Sequence, residues 1–171
     1  MTKKTNRGFT LVELLVVIAI VAILAAVVVL VINPLELTRR SRDAARLADL
    51  ANLQQAINVG VQEATGSGTA GILCTGTTAP CTSDSGAGTR SSNGAGWVKV
   101  NLSTQKSVSV PTLPIDPVNS GTEVYRYSSN GTAWEIDASL ESTQQSSKMA
   151  SDGGNCDTRY EVGSDLTLLG C

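Results

Sequence analysis

Residues 9–32 read FTLVELLVVIAIVAILAAVVVLVI, and no other part of the chain constrains its organisation as strongly. From Leu14 to Ile32 the stretch holds nineteen apolar residues without a charge. A helix of that length is roughly 29 Å long, the thickness of the hydrocarbon core of a bilayer. A cleavable secretory signal has a shorter apolar region, whereas this run continues to Asn33-Pro34. The sequence therefore predicts one membrane-spanning helix over residues 9–32.

Glu13 is the one charged residue of this stretch. A carboxylate near the centre of a bilayer costs on the order of 2.5–3.5 kcal/mol even on the lenient insertion scale, so it needs a partner or a reason. Two interpretations stay open on physical grounds. Glu13 is either a first-turn acid in the headgroup layer, favoured by the helix dipole, or a functional charge whose partner comes from elsewhere.

A short basic leader, residues 1–8 with Lys3, Lys4 and Arg7, precedes the apolar stretch. The order of leader, Phe9, Glu13 and apolar span resembles the class III signal of type IV pilins and of the pseudopilins of type II secretion. The resemblance implies that a prepilin peptidase cleaves between Gly8 and Phe9 and methylates the new amino group of Phe9. It also implies that Glu13 pairs with the Phe9 amino group of a neighbouring subunit during assembly.

The same resemblance implies where the protein acts and with what. The chain would be a single-pass protein of the cytoplasmic (inner) membrane with its head outside the cytoplasm, and an extracellular or periplasmic fibre after assembly. Its partners would be further copies of itself, the prepilin peptidase, and an inner-membrane assembly platform with its ATPase. Two alternatives remain within this class, a surface pilus and a secretion pseudopilus.

The rest of the chain predicts an α+β fold, in which a long N-terminal helix packs on a small antiparallel sheet. We divide it into a leader 1–8, a transmembrane and fibre-core helix 9–32, an amphipathic helix 33–65 and a globular head 66–171. Pro34 lacks an amide hydrogen and disfavours helical geometry before it, so a kink or local unwinding is expected at Asn33-Pro34. The stripe that would face the sheet contains Leu47, Leu50, Leu53, Ile57, Val61 and Ala64.

A group of arginines follows the span: Arg39, Arg40, Arg42 and Arg46. One interpretation is a solvated collar, paired in part with Asp43 and Asp49. The other is a site for DNA or anionic lipid. Removal of the leader leaves 10 basic against 15 acidic residues, a net charge of −5, so the whole chain has no basic field that favours nucleic acid.

In the head, residues 66–96 are rich in Gly, Ser and Thr and predict a variable surface loop without secondary structure. Trp97–Leu102 is a candidate strand. Thr122–Ser128, the Asn130-Gly131 turn and Ala133–Leu140 predict a hairpin. In its second strand apolar and acidic residues alternate, which predicts a sheet with one face on the helix.

Residues 113–117, LPIDP, and 125–127, YRY, resemble a pattern of the major pseudopilin. The prolines fix an extended crossing segment, and Asp116 can accept backbone hydrogen bonds, so we interpret this motif as structural.

The chain has four cysteines, Cys74, Cys81, Cys156 and Cys171, which allow three pairings. We favour the local pairing of Cys74 with Cys81 and of Cys156 with Cys171, because each bond closes a small loop. The absence of any C-x-x-C spacing argues against a redox motif or a zinc ribbon.

The C-terminal loop 151–171 occupies the place where the major pseudopilin has a calcium-binding loop. Asp152, Asn155 and Asp157 offer the hard oxygen ligands that calcium prefers. Their spacing is not that of an EF-hand, and Cys156 lies in their midst, so a calcium ion and a disulfide in its place are the two alternatives. No other cofactor is expected.

Catalytic signatures are missing from the sequence. The chain contains no histidine, which excludes Ser-His-Asp and Cys-His catalysis, and no nucleotide-binding glycine motif follows a strand. We therefore expect a structural fibre subunit and not an enzyme. The alternative is a minor pilin that binds DNA or a surface through loop 66–96 or the arginines.

Overall fold

The computed structural model describes residues 8–64 and 68–171. It contains two compact units, one that ends at Thr38 and one that extends from Arg39 to Cys171. The leader residues 1–7, with the basic residues of the predicted signal, lie outside the described residues. So does Thr65, the last residue of the predicted amphipathic helix.

Helix α1, Leu11–Ile32, begins at the N-cap residue Thr10 and ends at Asn33. Asn33 adopts the left-handed conformation with a φ of 42°, which asparagine tolerates better than most residues. Helix α2, Pro34–Glu63, starts directly after it. Proline suits the first position of a helix because an amide hydrogen there would have no partner inside the helix. The predicted interruption at Asn33-Pro34 is confirmed.

The head contains one antiparallel sheet of four strands in sequence order. The strands are β1, Cys81–Asp84, β2, Arg126–Ser129, β3, Trp134–Ala138, and β4, Tyr160–Gly163. A short helix α3, Gly68–Leu73, precedes the sheet, and a 3-10 turn, Ser146–Lys148, follows β3. Strands β2 and β3 form the predicted hairpin, although both are shorter than predicted. The α+β class predicted from the sequence is confirmed.

Two local predictions are wrong. The segment 66–96 is not free of secondary structure, because it contains α3 and β1. Strand β1 reads CTSD and has no apolar alternation; pairing with β2 holds it in place. Conversely, Trp97–Leu102 is no strand. Its backbone forms single hydrogen bonds with different loops and no continuous ladder. The Lys99 carbonyl accepts the Thr75 amide, and the Leu102 amide donates to the Ser92 carbonyl.

The core of the head is one cluster of apolar side chains from helix α2, the sheet and the irregular segment around Trp97. Helix α2 contributes the fully buried Leu50, Leu53, Ala56 and Ile57. Three of the six residues of the predicted apolar stripe thus lie in the core, and a fourth, Val61, packs against it. Trp97 is completely buried, donates its indole N–H to the Pro114 carbonyl at 2.8 Å, and lies 5.8 Å from the Tyr125 ring centre. The Trp97 segment is therefore core without being sheet.

The sheet buries both of its faces. Trp134, Ile136 and Ala138 of β3 face the core, as the alternation predicts. Glu135 and Asp137 on the other face are also fully buried. The C-terminal residues Leu168 and Leu169 contact Glu135, and two arginines, Arg126 and Arg159, contact Asp137. The sequence did not indicate this second cover.

Two disulfides brace the head. Cys74 is bonded to Cys81 and Cys156 to Cys171, with Cα atoms 5.9 and 5.2 Å apart. This is the local pairing that the loop lengths favour. The first bond links the end of α3 to the start of β1, and the second closes a loop that contains β4.

Candidate assembly site

The N-terminus of α1 is organised by a capping box between Thr10 and Glu13. The Thr10 hydroxyl accepts the Glu13 amide at 3.3 Å. In return, Glu13 Oε2 accepts the Thr10 amide at 2.9 Å and the Thr10 hydroxyl at 2.7 Å. Both residues thus satisfy amides that the first helical turn leaves without partners. Within residues 8–64 and 68–171, the hydrogen bonds to the Glu13 carboxylate come from Thr10 alone.

Helix α1 exposes its apolar side chains on every side. Its large hydrophobic residues from Leu11 to Val29 are 48 to 79% exposed, and Phe9, just before the helix, is 87% exposed. Within the described residues, one helix is long and apolar enough to cross a membrane, Leu11–Val29, and none of it is buried. A continuous apolar surface of this kind is stable only against lipid or against other apolar helices.

The predicted cleavage site lies at the exposed edge of the described chain. Gly8 and Phe9 are both solvent-exposed and precede the helix. A Cβ atom added at Gly8 would meet no atom within 4 Å, so the fold of this chain does not itself require glycine there. Cleavage after Gly8 and methylation of Phe9 stay predictions.

The predicted solvated collar is present only in part: Arg39 and Arg40 are exposed, and the predicted pairing with Asp43 is made by Arg46. Arg46 is completely buried, and Arg42 donates to Glu141 through two nitrogens at 2.6 and 2.8 Å. The prediction of a solvated position is wrong for Arg46. Asp49 accepts the Tyr125 hydroxyl at 2.9 Å instead of an arginine.

Arg46 is the centre of a buried ionic cluster, in which each nitrogen of its guanidinium has a carboxylate partner. Nε and Nη2 form a bidentate pair with Asp116 at 2.6 and 2.9 Å. Nη1 donates to Asp43 at 2.9 Å and to Glu141 at 2.8 Å. Glu123 approaches Nη2 at 3.2 Å. Such complete pairing is what a buried guanidinium requires, since an unpaired one would be costly.

Two carboxylates of this cluster also accept hydrogen bonds from backbone amides. Asp43 accepts the amides of Glu141 and Ser142 at 3.0 and 2.7 Å, and Asp116 accepts the Val118 amide at 2.8 Å. Helix α2 is thereby connected to the segment after β3 and to the LPIDP turn. The structural role predicted for Asp116 agrees with this geometry.

The cluster has a clear electrostatic signature at Glu141. Hydrogen bonds from Arg42, and then from Arg46, lower the pKa of Glu141 to about 2. Burial by itself raises the pKa of Asp43, but the hydrogen bonds from Ser142 and Glu141 outweigh it and the net shift is downward. Both carboxylates are therefore ionised at neutral pH.

In the predicted calcium loop, the Asp152 carboxylate is bonded to backbone amides. Asp152 uses one oxygen for the Gly154 amide at 2.9 Å and the other for the Glu161 amide at 2.8 Å. Asp157 is exposed, and Cys156 between them is bonded to Cys171. Within the described part of the chain no group of three or more His, Cys, Asp or Glu side chains could hold a metal. The predicted disulfide is present in this loop, and calcium binding there stays a prediction.

Comparison with known proteins bears on the N-terminus alone. Residues 3–29 match the family model described as the prokaryotic N-terminal methylation motif. The matched residues include the predicted cleavage site between Gly8 and Phe9, Glu13 and most of the apolar stretch. No curated protein and no solved structure matches the chain significantly.

Proposed function

We propose that the chain is a structural subunit of a type IV pilus-like or type II secretion pseudopilus fibre. It polymerises through helix 9–32 after prepilin peptidase cleaves between Gly8 and Phe9 and methylates Phe9. The observation that carries this proposal is the exposed apolar surface of α1, with one carboxylate at its start, on a chain that matches the methylation motif.

The proposal gives each part of the chain a place. The leader 1–8 is removed, residues 9–32 anchor the precursor in the cytoplasmic membrane and later enter the fibre core, and residues 33–65 connect this helix to the head 66–171. The head lies outside the cytoplasm, where its two disulfides are stable. The inner-membrane platform and its ATPase supply the work of assembly, since the sequence holds no nucleotide-binding motif.

Glu13 has a specific role in this proposal. Once the helix leaves the headgroup layer, water no longer solvates the carboxylate, and the capping bonds from Thr10 supply no positive charge. A neighbouring subunit brings the Phe9 amino group, which exists only after cleavage at Gly8. Pairing of the two charges would fix the axial position of one subunit against the next.

The experiment separates the charge of Glu13 from its capping role. Glu13→Gln keeps a side chain that can complete a capping box but removes the charge. Thr10→Ala removes the capping hydroxyl and keeps the charge. We expect Glu13→Gln to be cleaved and methylated normally, as measured by mass spectrometry, and to yield no sheared filaments. Thr10→Ala should still form filaments, because a lost cap costs only about 1 kcal/mol.

The opposite pattern would refute the proposal. Normal filaments from Glu13→Gln would show that the charge is not needed. Loss of filaments in Thr10→Ala with normal assembly of Glu13→Gln would assign Glu13 to helix capping alone.

The binding alternative receives less support from the geometry. Two of the four arginines that would contact DNA or lipid, Arg42 and Arg46, are held by carboxylates of the same chain. We therefore propose the fibre function as the principal one.

A further inference from the structure

A cleft in the head lies between helix α2 and residues 107–112, and the assembly function does not use it. Its volume is about 530 Å³, within the range of ligand sites in proteins. Asp49, Asn52 and Gln55 of α2 form one wall, and Arg90 also lines the cleft. All of these residues belong to the compact unit Arg39–Cys171, so the cleft is a feature of the head itself.

The opposite wall is an extended segment that pairs along one edge only. Thr112 forms an antiparallel bridge with Ser91, and the Leu113 amide donates to the Arg90 carbonyl at 2.9 Å. In such a pairing the backbone groups of successive residues point to opposite edges. Because Leu113 turns its amide toward Arg90, the N–H and C=O groups of Thr112 point to the outer edge, and those of Val110 do so with period two.

This outer edge has no partner. Within residues 8–64 and 68–171, no hydrogen bond reaches the backbone groups of Val108, Val110 or Thr112. Val108 and Val110 pack partly against the core while Ser109 between them is exposed, which is the alternation of a strand. The segment therefore has the form of an edge strand whose free side can accept another strand.

Both ends of the segment are held in place. Before it, Glu63 accepts the amides of Lys106 and Ser107 at 2.8 and 3.0 Å. At its other end, the Pro111 carbonyl accepts the Ser92 hydroxyl at 3.3 Å. A strand that is already fixed loses little conformational freedom when it pairs, which favours binding.

The cleft also contains two charges of opposite sign that do not form an ion pair with each other. Asp49 Oδ2 accepts the Tyr125 hydroxyl at 2.9 Å, and Oδ1 has no hydrogen-bond donor among the described residues. Arg90 donates through Nε to the Leu113 carbonyl at 3.0 Å, and in the same part of the chain its two terminal nitrogens have no acceptor. Burial raises the pKa of Asp49, because the Tyr125 hydroxyl and the more distant Arg90 compensate its charge only in part.

The edges of the chain's own sheet do not match these charges. The outer strands are β1, whose one charged residue is Asp84, and β4, whose one charged residue is Glu161. Neither strand contains a basic residue that could pair with Asp49. The Glu161 amide of β4 moreover already donates to Asp152 at 2.8 Å. A second copy that docked through either edge would leave the Asp49 carboxylate without a cation.

We propose that this cleft binds an extended segment of a different polypeptide, which adds as a strand to the outer edge of residues 108–112. Main-chain hydrogen bonds to Val108, Val110 and Thr112 hold the added strand. A basic side chain of the segment pairs with Asp49, and an acidic one pairs with Arg90. The site does not involve α1, so it gives the head a binding function in addition to fibre assembly.

Amide exchange of the full mature chain in detergent, followed residue by residue by NMR, tests the site. The probe is the peptide acetyl-Lys-Val-Thr-Val-Glu-amide, which has strand-forming residues between its two charges. Without the peptide, the amides of Val108, Val110 and Thr112 should exchange at nearly the intrinsic rate. We expect the peptide to bind with a Kd of about 1 mM. At about ten times that concentration these three amides should exchange about tenfold more slowly, while the Ser109 amide on the inner edge stays unchanged.

Controls separate backbone pairing from charge. The same peptide N-methylated at its three central residues keeps both charges but loses its central donors, and it should bind at least about tenfold more weakly. Asp49→Asn, whose amide oxygen can still accept the Tyr125 hydroxyl, should weaken binding of the unmodified peptide about fivefold. Lys148→Gln removes an exposed charge outside the cleft and should bind the peptide as the wild type does.

Four results would overturn the proposal. The first is the lack of saturable protection at residues 108–112 with about 10 mM peptide. Equal binding of the N-methylated peptide would show that the backbone edge is not used, and unchanged binding to Asp49→Asn would show that the charge is not used. Protection of the same amides that rises with protein concentration in the absence of peptide would assign the edge to a second copy of this chain.

Discussion

Glu13 on helix α1 and the carboxylates around Arg46 in the head solve the same physical problem in different ways. The Arg46 cluster is closed within the chain, since its partners come from residues 43, 116, 123 and 141. The Glu13 carboxylate accepts hydrogen bonds from Thr10, a neutral residue three positions before it. It lies on a helix whose apolar side chains are exposed. The Arg46 cluster is neutralised by folding, whereas helix α1 contains no cation that could pair with Glu13.

Under the proposed function, this difference separates a stable body from an assembly element. A charge that is paired inside the chain adds nothing to recognition between subunits. Among the described residues the Glu13 carboxylate has no counter-ion, and in the proposed fibre another copy supplies one. Substitutions in the two regions should accordingly affect different measurements.

The largest effect is expected at Arg46. Arg46→Met leaves the fully buried Asp43 and Asp116 carboxylates without their cation and should lower the free energy of unfolding by about 3–5 kcal/mol. Denaturant unfolding of the full chain in detergent, followed by the fluorescence of the buried Trp97 and Trp134, measures this loss.

The control is Arg42→Met, which removes a partly exposed arginine of the same cluster and should cost about 1 kcal/mol or less. Glu13→Gln should leave the unfolding of the head unchanged. If Glu13→Gln and Arg46→Met lowered the free energy of unfolding of the head equally, the proposed difference between the two regions would be contradicted.

A smaller effect is expected from acid. Because hydrogen bonds from Arg42 and Arg46 lower the pKa of Glu141 to about 2, its contribution is complete above its ordinary value of 4.5 and is lost as the pH falls toward 2. The denaturant midpoint of the head should decline over this interval. The Glu141→Gln variant should be less stable at pH 7, and its denaturant midpoint should decline less steeply with falling pH. An unchanged slope would show that Glu141 does not cause the decline.

Much of the architecture could be predicted from the spacing of apolar residues and from residues that interrupt helices and strands. The apolar run, the break at Asn33-Pro34, the stripe of α2 and the β2–β3 hairpin are local patterns, and the structure contains each of them. The predictions for strand β1 and for the Trp97 segment are wrong because tertiary pairing, and not local alternation, determines the structure of both. Residues 81–84, CTSD, form a strand because they pair with the edge of β2.

The charged interior could not be predicted for a related reason. Arg46 continues the buried stripe of α2 at helical spacing, but a pattern of apolar residues assigns any arginine to the polar face. Its partners Asp116 and Glu141 are 70 and 95 residues away, so only the fold brings them together. The one local signal was Asp43, three residues before it.

The central claim is that Glu13 and Phe9 of neighbouring subunits form an ion pair in the fibre. Phe9 is the only phenylalanine of the chain, so ¹⁵N-phenylalanine labels a single nitrogen, which is the free amino group after cleavage. Solid-state NMR of filaments labelled also with ¹³Cδ-glutamate measures its distance to a carboxyl carbon. We predict dipolar dephasing of one glutamate at less than about 4 Å, absent in the frozen, detergent-dissolved monomer. Intact filaments without this dephasing, or equal dephasing in the monomer, would contradict the claim.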